Sequence, residues 1–329
     1  MEVLKDQYNR IHNYLRVSLT DKCNLRCSYC MPENVQFMPS KKLMTADEIF
    51  QLAQLFVNDF GINKIRITGG EPLMRKDAPK IIEQLSQLPV QLAITTNGVF
   101  LDKYWPLLES INLSSINISL DTLNARKFKE VNKRDDFQKV YDNIFTAIEK
   151  GLNVNINTVL KLGMNDNELL DFVELTQQQK LHVKFIEFMP FNGNSWDREN
   201  VFTYQEALHI IQDKYGEAFP TKSKPNTTSK PYKLQNFKGD FSFVSTISSH
   251  FCGDCNRLRL TADGKLKNCL FGKTETDLLS ILRNGGDLKP FIIENVLAKH
   301  KALGGFDKMS ESEFNTQELS EREMFAIGG

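Results

Sequence analysis

The chain of 329 residues contains no apolar run approaching the roughly 20 residues needed to cross a bilayer, which excludes an ordinary membrane-spanning helix. Its start, MEVLKDQYNR, is polar and lacks the apolar stretch of a secretory signal, so the expectation is a cytoplasmic protein. It has no net charge: 41 basic residues balance 41 acidic ones, which argues against a broad nucleic-acid-binding surface. Any anionic ligand must then be held by a local cluster of cations. No motif of about 20 to 50 residues repeats, so the chain is not a solenoid or a propeller. Cysteine is scarce, six in all, and gathered into two groups: Cys23, Cys27 and Cys30 in CNLRCSYC, and Cys252, Cys255 and Cys269 near the end. In a reducing compartment such clustering argues for metal binding over disulfides. What each group lacks is a fourth thiol. A closed structural zinc site takes four ligands, and a 4Fe–4S cluster held only by protein takes four cysteines.

What is present is ordinary globular composition, 41% hydrophobic and 25% charged, in a chain long enough for one or two domains. From about residue 14 to residue 190, β-branched runs alternate with amphipathic stretches, the rhythm of βα units. The strands are expected at 14–19, 64–68, 91–96, 115–120, 153–160 and 182–189. Between the first two, TADEIFQLAQLFVNDFG predicts a helix opened by a Thr45/Glu48 capping box and stopped at Gly61. Strands covered by helices on both faces should be nearly all apolar. Here Lys64, Arg66 and Thr68 alternate with Ile65 and Ile67, and Asn117, Ser119 and Asp121 alternate with Ile116, Ile118 and Leu120. Asn153, Asn155 and Asn157 alternate likewise with Val154 and Ile156. One polar face on several strands suits an open barrel around a ligand cavity better than the packed lumen of a closed one; a sheet with one solvated face is the alternative.

After residue 190 the rhythm breaks, and TKSKPNTTSKPYK (221–233) reads as an extended linker. DFSFVSTI and RLRLTADGKLKNCLF then predict short strands, the latter a hairpin turning at Asp263-Gly264. The expected division is residues 1–220 as a barrel and 221–329 as a C-terminal segment carrying the second cysteine group over the barrel mouth. CNLRCSYC directly follows the first strand, at the carboxyl end of a parallel array, where barrel active sites form. Zinc held with a histidine remains open on the residues alone, and His12 is the nearest candidate.

CxxxCxxC after the first strand, followed by GGEP at 69–72, resembles the radical S-adenosylmethionine (SAM) superfamily. With IRITGGEPLMR, TTNG, SLDTL, KFIEFMP, CGDCNRLRLTADGKLKNCL and a terminal Gly328-Gly329, the resemblance covers essentially the whole chain and narrows to the GTP 3',8-cyclase family of molybdenum cofactor biosynthesis. It implies an α/β fold, an incomplete six-unit (βα) TIM-like barrel with a cluster-binding C-terminal extension. It implies a 4Fe–4S cluster on Cys23, Cys27 and Cys30 whose open iron chelates SAM, with Tyr29, Gly69, Gly70, Glu71, Ser119 and Met189 as SAM contacts. A second 4Fe–4S cluster on Cys252, Cys255 and Cys269 would face the guanine of GTP. Arg16, Arg66, Thr95, Lys184, Arg257 and Arg259 are implied GTP contacts. Lys161 is a further candidate, although relatives carry the basic residue just before the loop glycine, where this chain has Leu162. Gly328 and Gly329 are implied to enter the active site. The implied reaction abstracts hydrogen from ribose C3′, joins C3′ to C8, and reduces the product radical through the second cluster. The implied partners are an electron donor, a downstream cyclic pyranopterin monophosphate synthase and a second copy of the chain as homodimer. A peptide-modifying radical SAM enzyme would need more cysteines than this chain has, and a zinc-organised binding module would consume no SAM.

Overall fold

A computed structural model describes residues 2–31, 34–192, 194, 196–221, 228–308 and 322–328. Its centre is a twelve-stranded sheet. The strands are β1 (Tyr14–Ser18), β2 (Lys64–Thr68), β3 (Gln91–Thr96), β4 (Leu113–Ser119), β5 (Val154–Leu160), β6 (His182–Glu187), β7 (Ala218–Pro220), β8 (Lys230–Leu234), β9 (Asp240–Val244), β10 (Arg257–Leu260), β11 (Lys265–Lys267) and β12 (Thr276–Asp277). The helices are α1 (Ala46–Phe60), α2 (Ala78–Ser86), α3 (Trp105–Ser110), α4 (Ala125–Asn132), α5 (Phe137–Glu149), α6 (Leu169–Gln178), α7 (Tyr204–Tyr215), α8 (Leu278–Arg283), α9 (Lys289–Leu297) and α10 (Met324–Ile327). Each of the expected βα-unit strands is present, with ends shifted by two residues at most. In α1, Thr45 and Glu48 form the reciprocal capping box, and Gly61 closes the helix in the left-handed region at φ 70°.

The strand order is β12-β11-β10-β1-β2-β3-β4-β5-β6-β9-β8-β7, and every pair from β10 across to β9 is parallel. The order is linear, so the barrel is open between β9 and β10. Both of these strands come from beyond residue 220, and each adds a parallel strand to one edge of the barrel, β10 on β1 and β9 on β6. The sheet therefore runs across the expected division at 220/221. Part of the expected linker is strand β8, antiparallel to β9; residues 222–227 of it lie outside the described residues. The hairpin at Asp263-Gly264 is present as β10 against β11, with Gly264 at φ 71°.

Alternation decides what lies on each side of the sheet. Leu15, Val17, Ile65, Ile67, Ile94, Ile116, Ile118 and Ile156 are 0% exposed and belong to one apolar core with Ile49, Phe56, Ile81 and Phe172 of the surrounding helices. The other face carries Arg16, Arg66, Thr68 and Asn117, which are also buried, so it lines an enclosed lumen and is not a solvated surface. Among the described residues no helix is long and apolar enough to cross a membrane.

At the C-terminal edge, Phe185 of β6 meets Phe241 and Phe243 of β9, and Tyr232 of β8 stacks on Phe241 with centroids 5.9 Å apart. Truncating Phe241, which is 0% exposed, should cost about 3 to 5 kcal/mol. If β9 is part of one sheet with β1 to β6, Phe241→Ala will lower the midpoint of a single denaturant transition followed by circular dichroism. A separate early transition that left the βα units folded would instead restore the two-unit division.

Candidate active site

The two cysteine groups sit at opposite ends of the parallel strands. Cys23, Cys27 and Cys30 follow β1 at its carboxyl end. Cys252 and Cys255 precede β10, which runs parallel to β1 with Arg257 level with Tyr14. Cys269 follows β11, which is antiparallel to β10 and so returns to the same end. The second group therefore lies at the amino ends of the strands, not over the mouth that holds the first. From the level of Tyr14 to that of Ser18 is roughly 13 Å at about 3.3 Å per residue, before either loop is counted.

Around the first triplet is a cavity of about 150 Å³ lined by the three cysteines, Tyr29, Gly69, Gly70, Thr95, Thr96, Asn97, Ser119, Asp121 and Asn157. The glycines serve a backbone junction. Gly70 N donates to Thr20 O at 2.7 Å and Glu71 N to Lys22 O at 2.8 Å, which ties the end of β2 to the segment leading into Cys23. A Cβ on Gly70 would come within 2.5 Å of Lys22 O and 2.6 Å of Asp21 O. Glu71 does not line this cavity. Its buried carboxylate accepts from Leu73 N, Thr96 Oγ1 and Asn97 N at 2.7 to 2.9 Å and so fixes the TTNG turn. Burial raises its pKa to about 7 despite these bonds. Tyr29 donates to Asp121 Oδ2 at 2.6 Å, and Val159 N donates to Asp121 Oδ1 at 2.9 Å.

Burial, reinforced by Glu71, pushes the Cys23 thiol up to about 11; burial with Cys23 and Asp121 pushes Cys30 up to about 12. Such thiols become thiolates only when a metal takes the proton's place. The donor set fits an iron–sulfur cluster with one open iron. There are three thiols, and among the described residues this cavity has no histidine in its lining and its one carboxylate, Asp121, is already engaged. Among the described residues no three His, Cys, Asp or Glu side chains are placed to hold a single metal ion. His12 is bound instead to Asp6, Nε2 to Oδ2 at 3.0 Å. N–H groups point at sulfur in both triplets, a contact that iron–sulfur thiolates use: Asn97 Nδ2 to Cys23 (3.7 Å), Leu303 N to Cys252 (3.4 Å) and Lys299 Nζ to Cys255 (3.6 Å).

Between the triplets lies a cavity of about 380 Å³. Its lining includes Arg16, Lys64, Arg66, Lys184, Arg257 and Arg259 and, among the described residues, contains no carboxylate side chain. Parallel register sets Arg259, Arg16 and Arg66 side by side on β10, β1 and β2. Arg66 is held by Tyr14 Oη (2.7 Å), Ile94 O (3.0 Å), Thr95 Oγ1 (3.3 Å) and Ser115 Oγ (3.2 Å). Arg259 and Arg16 both donate to Gly328 O, at 2.8 and 3.4 Å. The C-terminal tail thus enters the lumen, where a Cβ on Gly328 would strike Thr68 Oγ1 at 2.5 Å; Gly329 lies outside the described residues. At the root of the tail, Arg322 bridges Asp263 and Glu275. Buried Arg257 Nε, Asn117 Oδ1, Asn256 Oδ1 and Thr246 Oγ1 have no partner among the described residues, as expected of a wall that binds a polar ligand.

The sequence-predicted residues divide accordingly. Tyr29, Gly69, Gly70 and Ser119 line the first cavity; Arg16, Arg66, Lys184, Arg257 and Arg259 line the second. Thr95, expected at the anion, lies on the thiol side, and Met189, expected at the thiol side, lies on the cationic cavity. Lys161 lines neither: its ammonium rests over the Phe188 ring, 4.8 Å from the centroid. Tyr14, Lys64, Asn117, Asn157 and Asp121 were given no role as site residues, yet all but Asp121, which follows the end of β4, occupy inward positions of the alternation that located Arg16 and Arg66. Asn157 lines both cavities and joins them.

Residues 17–176 match the family model described as Radical SAM superfamily, and residues 181–303 match that described as Molybdenum Cofactor Synthesis C. Molybdenum cofactor biosynthesis protein 1 of Bos taurus is 44% identical over 328 residues, 98% of this chain and 51% of that protein. GTP 3',8-cyclase, mitochondrial, of Arabidopsis thaliana is 44% identical over 100% of this chain and 84% of its own length. GTP 3',8-cyclase of Syntrophomonas wolfei is 38% identical over 98% and 99%. The chain spans about half the length of the animal relatives it matches. Streptococcus suis SuiB bound to S-adenosylmethionine superposes with a TM-score of 0.65 over 84% of this chain and 67% of that one, at 14% identity, a likeness of fold.

Gly70→Ala should displace the loop of the first triplet, so iron and sulfide reconstitution should load less iron there while the signal from Cys252, Cys255 and Cys269 persists. Full loading in that variant would show that the close approach to Lys22 is not needed. The lumen makes a second prediction. Burial and then Arg66 and Arg257 bring Lys184 down to about 7. Burial alone would raise Tyr14, but Arg66, Arg16, Arg257 and Lys64 bring it down to about 6. A polyphosphate anion favours the protonated form of both groups, so its binding takes up protons and weakens as pH rises from about 6 to 8. Calorimetry with inorganic triphosphate in buffers of different ionisation enthalpy should give a positive slope, reduced in Lys184→Met; a zero slope contradicts the assignment.

Proposed function

Because the chain belongs to the GTP 3',8-cyclase family of the radical SAM superfamily, we propose that it cyclises GTP, joining ribose C3′ to guanine C8 to give 3',8-cyclo-7,8-dihydro-GTP for molybdenum cofactor biosynthesis. The observation that carries this reading is the cationic lumen, free of carboxylate side chains among the described residues, that lies between two incomplete thiol triplets at opposite ends of the sheet.

Cys23, Cys27 and Cys30 would hold the cluster that binds SAM, and Cys252, Cys255 and Cys269 a second one. When bound, the first cluster with SAM supplies a 5'-deoxyadenosyl radical able to remove a ribose hydrogen, and the second supplies an open iron for the guanine. The rest is done by the chain's own side chains. Arg16, Arg66, Arg259 and Lys184 offset the triphosphate charge in a site poor in water, where charge-assisted hydrogen bonds are strongest. Arg66 is fixed by Tyr14, Ile94 O and Ser115, so its guanidinium keeps one orientation before substrate arrives. Arg257 and Arg259, both directed inward from β10, extend from the second triplet toward the lumen centre. Gly328 O, bound by Arg16 and Arg259, keeps these two guanidiniums turned inward. The recessed lumen limits the access of solvent to a carbon radical. A one-electron donor and an enzyme consuming the cyclised nucleotide are the partners this reaction requires, and six free thiols suit the reducing cytoplasm.

The test is anaerobic turnover of protein reconstituted with iron and sulfide, given dithionite, SAM and GTP, with mass spectrometry for 5'-deoxyadenosine and a GTP isomer. Both products, the isomer dependent on SAM, are expected. 5'-Deoxyadenosine without the isomer would keep the radical chemistry and reject GTP as substrate. In the Arg257→Ala, Arg259→Ala double variant both clusters should persist and SAM binding should hold. GTP binding should weaken tenfold or more, each charge-assisted hydrogen bond being worth about 1.5 to 3 kcal/mol. Unchanged GTP affinity would remove these arginines from the site.

A further inference from the structure

The two triplets differ in the charge built against them. At the second, Lys299 follows α9, is 2% exposed, and aims its ammonium at Cys255 Sγ (3.6 Å) and at the main-chain oxygen of Arg257 (2.9 Å). The backbone bearing it is clamped by the N-terminal segment. Gln7 donates to Lys299 O at 3.2 Å. Arg10 donates to the carbonyls of Cys252, Lys301 and His300, each at 2.7 Å, and is itself held by Asp6 at 2.6 Å. Leu303 N adds a contact to Cys252 Sγ. At the first triplet the buried charged neighbours are the carboxyls of Glu71 and Asp121; the cation there, Arg26, donates to the main-chain oxygens of Cys23 and Leu25.

We propose that Lys299 is a positioning residue that raises the reduction potential of a 4Fe–4S cluster on Cys252, Cys255 and Cys269. The proposal rests on the cluster assignment of the preceding section. Reduction adds one electron to the cluster and breaks no bond, so the more negative reduced state gains more from a fixed cation and an N–H···S contact than the oxidised state does. Lys299 also links ligand to substrate wall: the same ammonium bonds Cys255 Sγ and the carbonyl of Arg257, whose side chain faces the lumen. Loading of the second cluster and placement of Arg257 are thereby coupled.

The experiment is a potentiometric titration with dithionite and redox mediators, followed by electron paramagnetic resonance, on full-length protein whose Cys23, Cys27 and Cys30 are replaced by alanine so that one cluster is observed. Lys299→Met is expected to shift the couple to more negative potential by at least a tenfold change in the reduction equilibrium, about 59 mV for one electron. Lys299→Arg is expected to restore most of the shift. Lys299→Gln, which keeps a neutral donor, should lie between. Where the methionine variant does not retain iron, the glutamine variant reads the charge alone. A midpoint of the glutamine variant that coincides with that of the parent would overturn the proposal. A parent protein that holds no cluster at all would overturn the cluster assignment instead, and the two failures are told apart by iron content before any titration.

Discussion

Three guanidiniums stand level with one another inside this protein, and much of its architecture follows from that. Parallel pairing of β10, β1 and β2 puts Arg259, Arg16 and Arg66 in one row, on strands roughly 4.8 Å apart. Like charges at that spacing, with no carboxylate side chain among the described residues of the surrounding wall, oppose folding. The opposition is met by dipoles: Tyr14 Oη and Ile94 O hold Arg66, and Gly328 O is shared by the other two. Burial brings the Arg259 guanidinium down to about 10, with Arg257 contributing, and lowers Arg16 well below its usual range. The apolar core on the far side of the same strands carries the cost. What remains is a chamber whose electrostatics improve when a polyanion enters.

The chamber also separates two kinds of chemistry by length. A loop after β1 and a loop before β10 emerge from opposite ends of adjacent parallel strands, so the distance between the triplets is set by strand length and not by loop conformation. A substrate that reaches both must be extended and anchored midway, where the row of arginines lies. The Arg322 pair with Asp263 and Glu275 fixes the tail at its root, so Gly328 meets that row from a defined origin.

The strands, their polar face and the capped first helix were legible in the sequence because each is a local signal, a period of two, a period of 3.6, or a cap. The same alternation marked Lys64, Asn117 and Asn157 as inward before any role was given to them. Tyr14, in phase with Arg16, was equally accessible. Pairing across the chain was not legible. Nothing local in DFSFV or RLRL states that one strand docks on β6 and the other on β1, so the second triplet was expected at the wrong end of the barrel. The placement of Lys161 and Glu71 was not legible for a related reason. Residue type indicated charge, but Lys161 faces Phe188, and the carboxylate of Glu71 is consumed by the turn at Thr96 and Asn97. Gly70 was expected as a SAM contact, and its tightest neighbour is the chain's own backbone at Asp21 and Lys22.

The pairing of β1 with β10 has a consequence for how the chain is made. At roughly 5 to 20 residues per second, the ribosome needs on the order of 10 to 50 seconds to go from the end of β1 to the strand that covers it. For that interval the nascent barrel presents an open strand edge beside an unfilled row of charges, with β6 waiting likewise, though for less time, for β9. The edge that completes the chamber is thus also the one most open to mispairing during synthesis, and chaperone occupancy on ribosome-bound chains should be greatest before residue 260 has emerged.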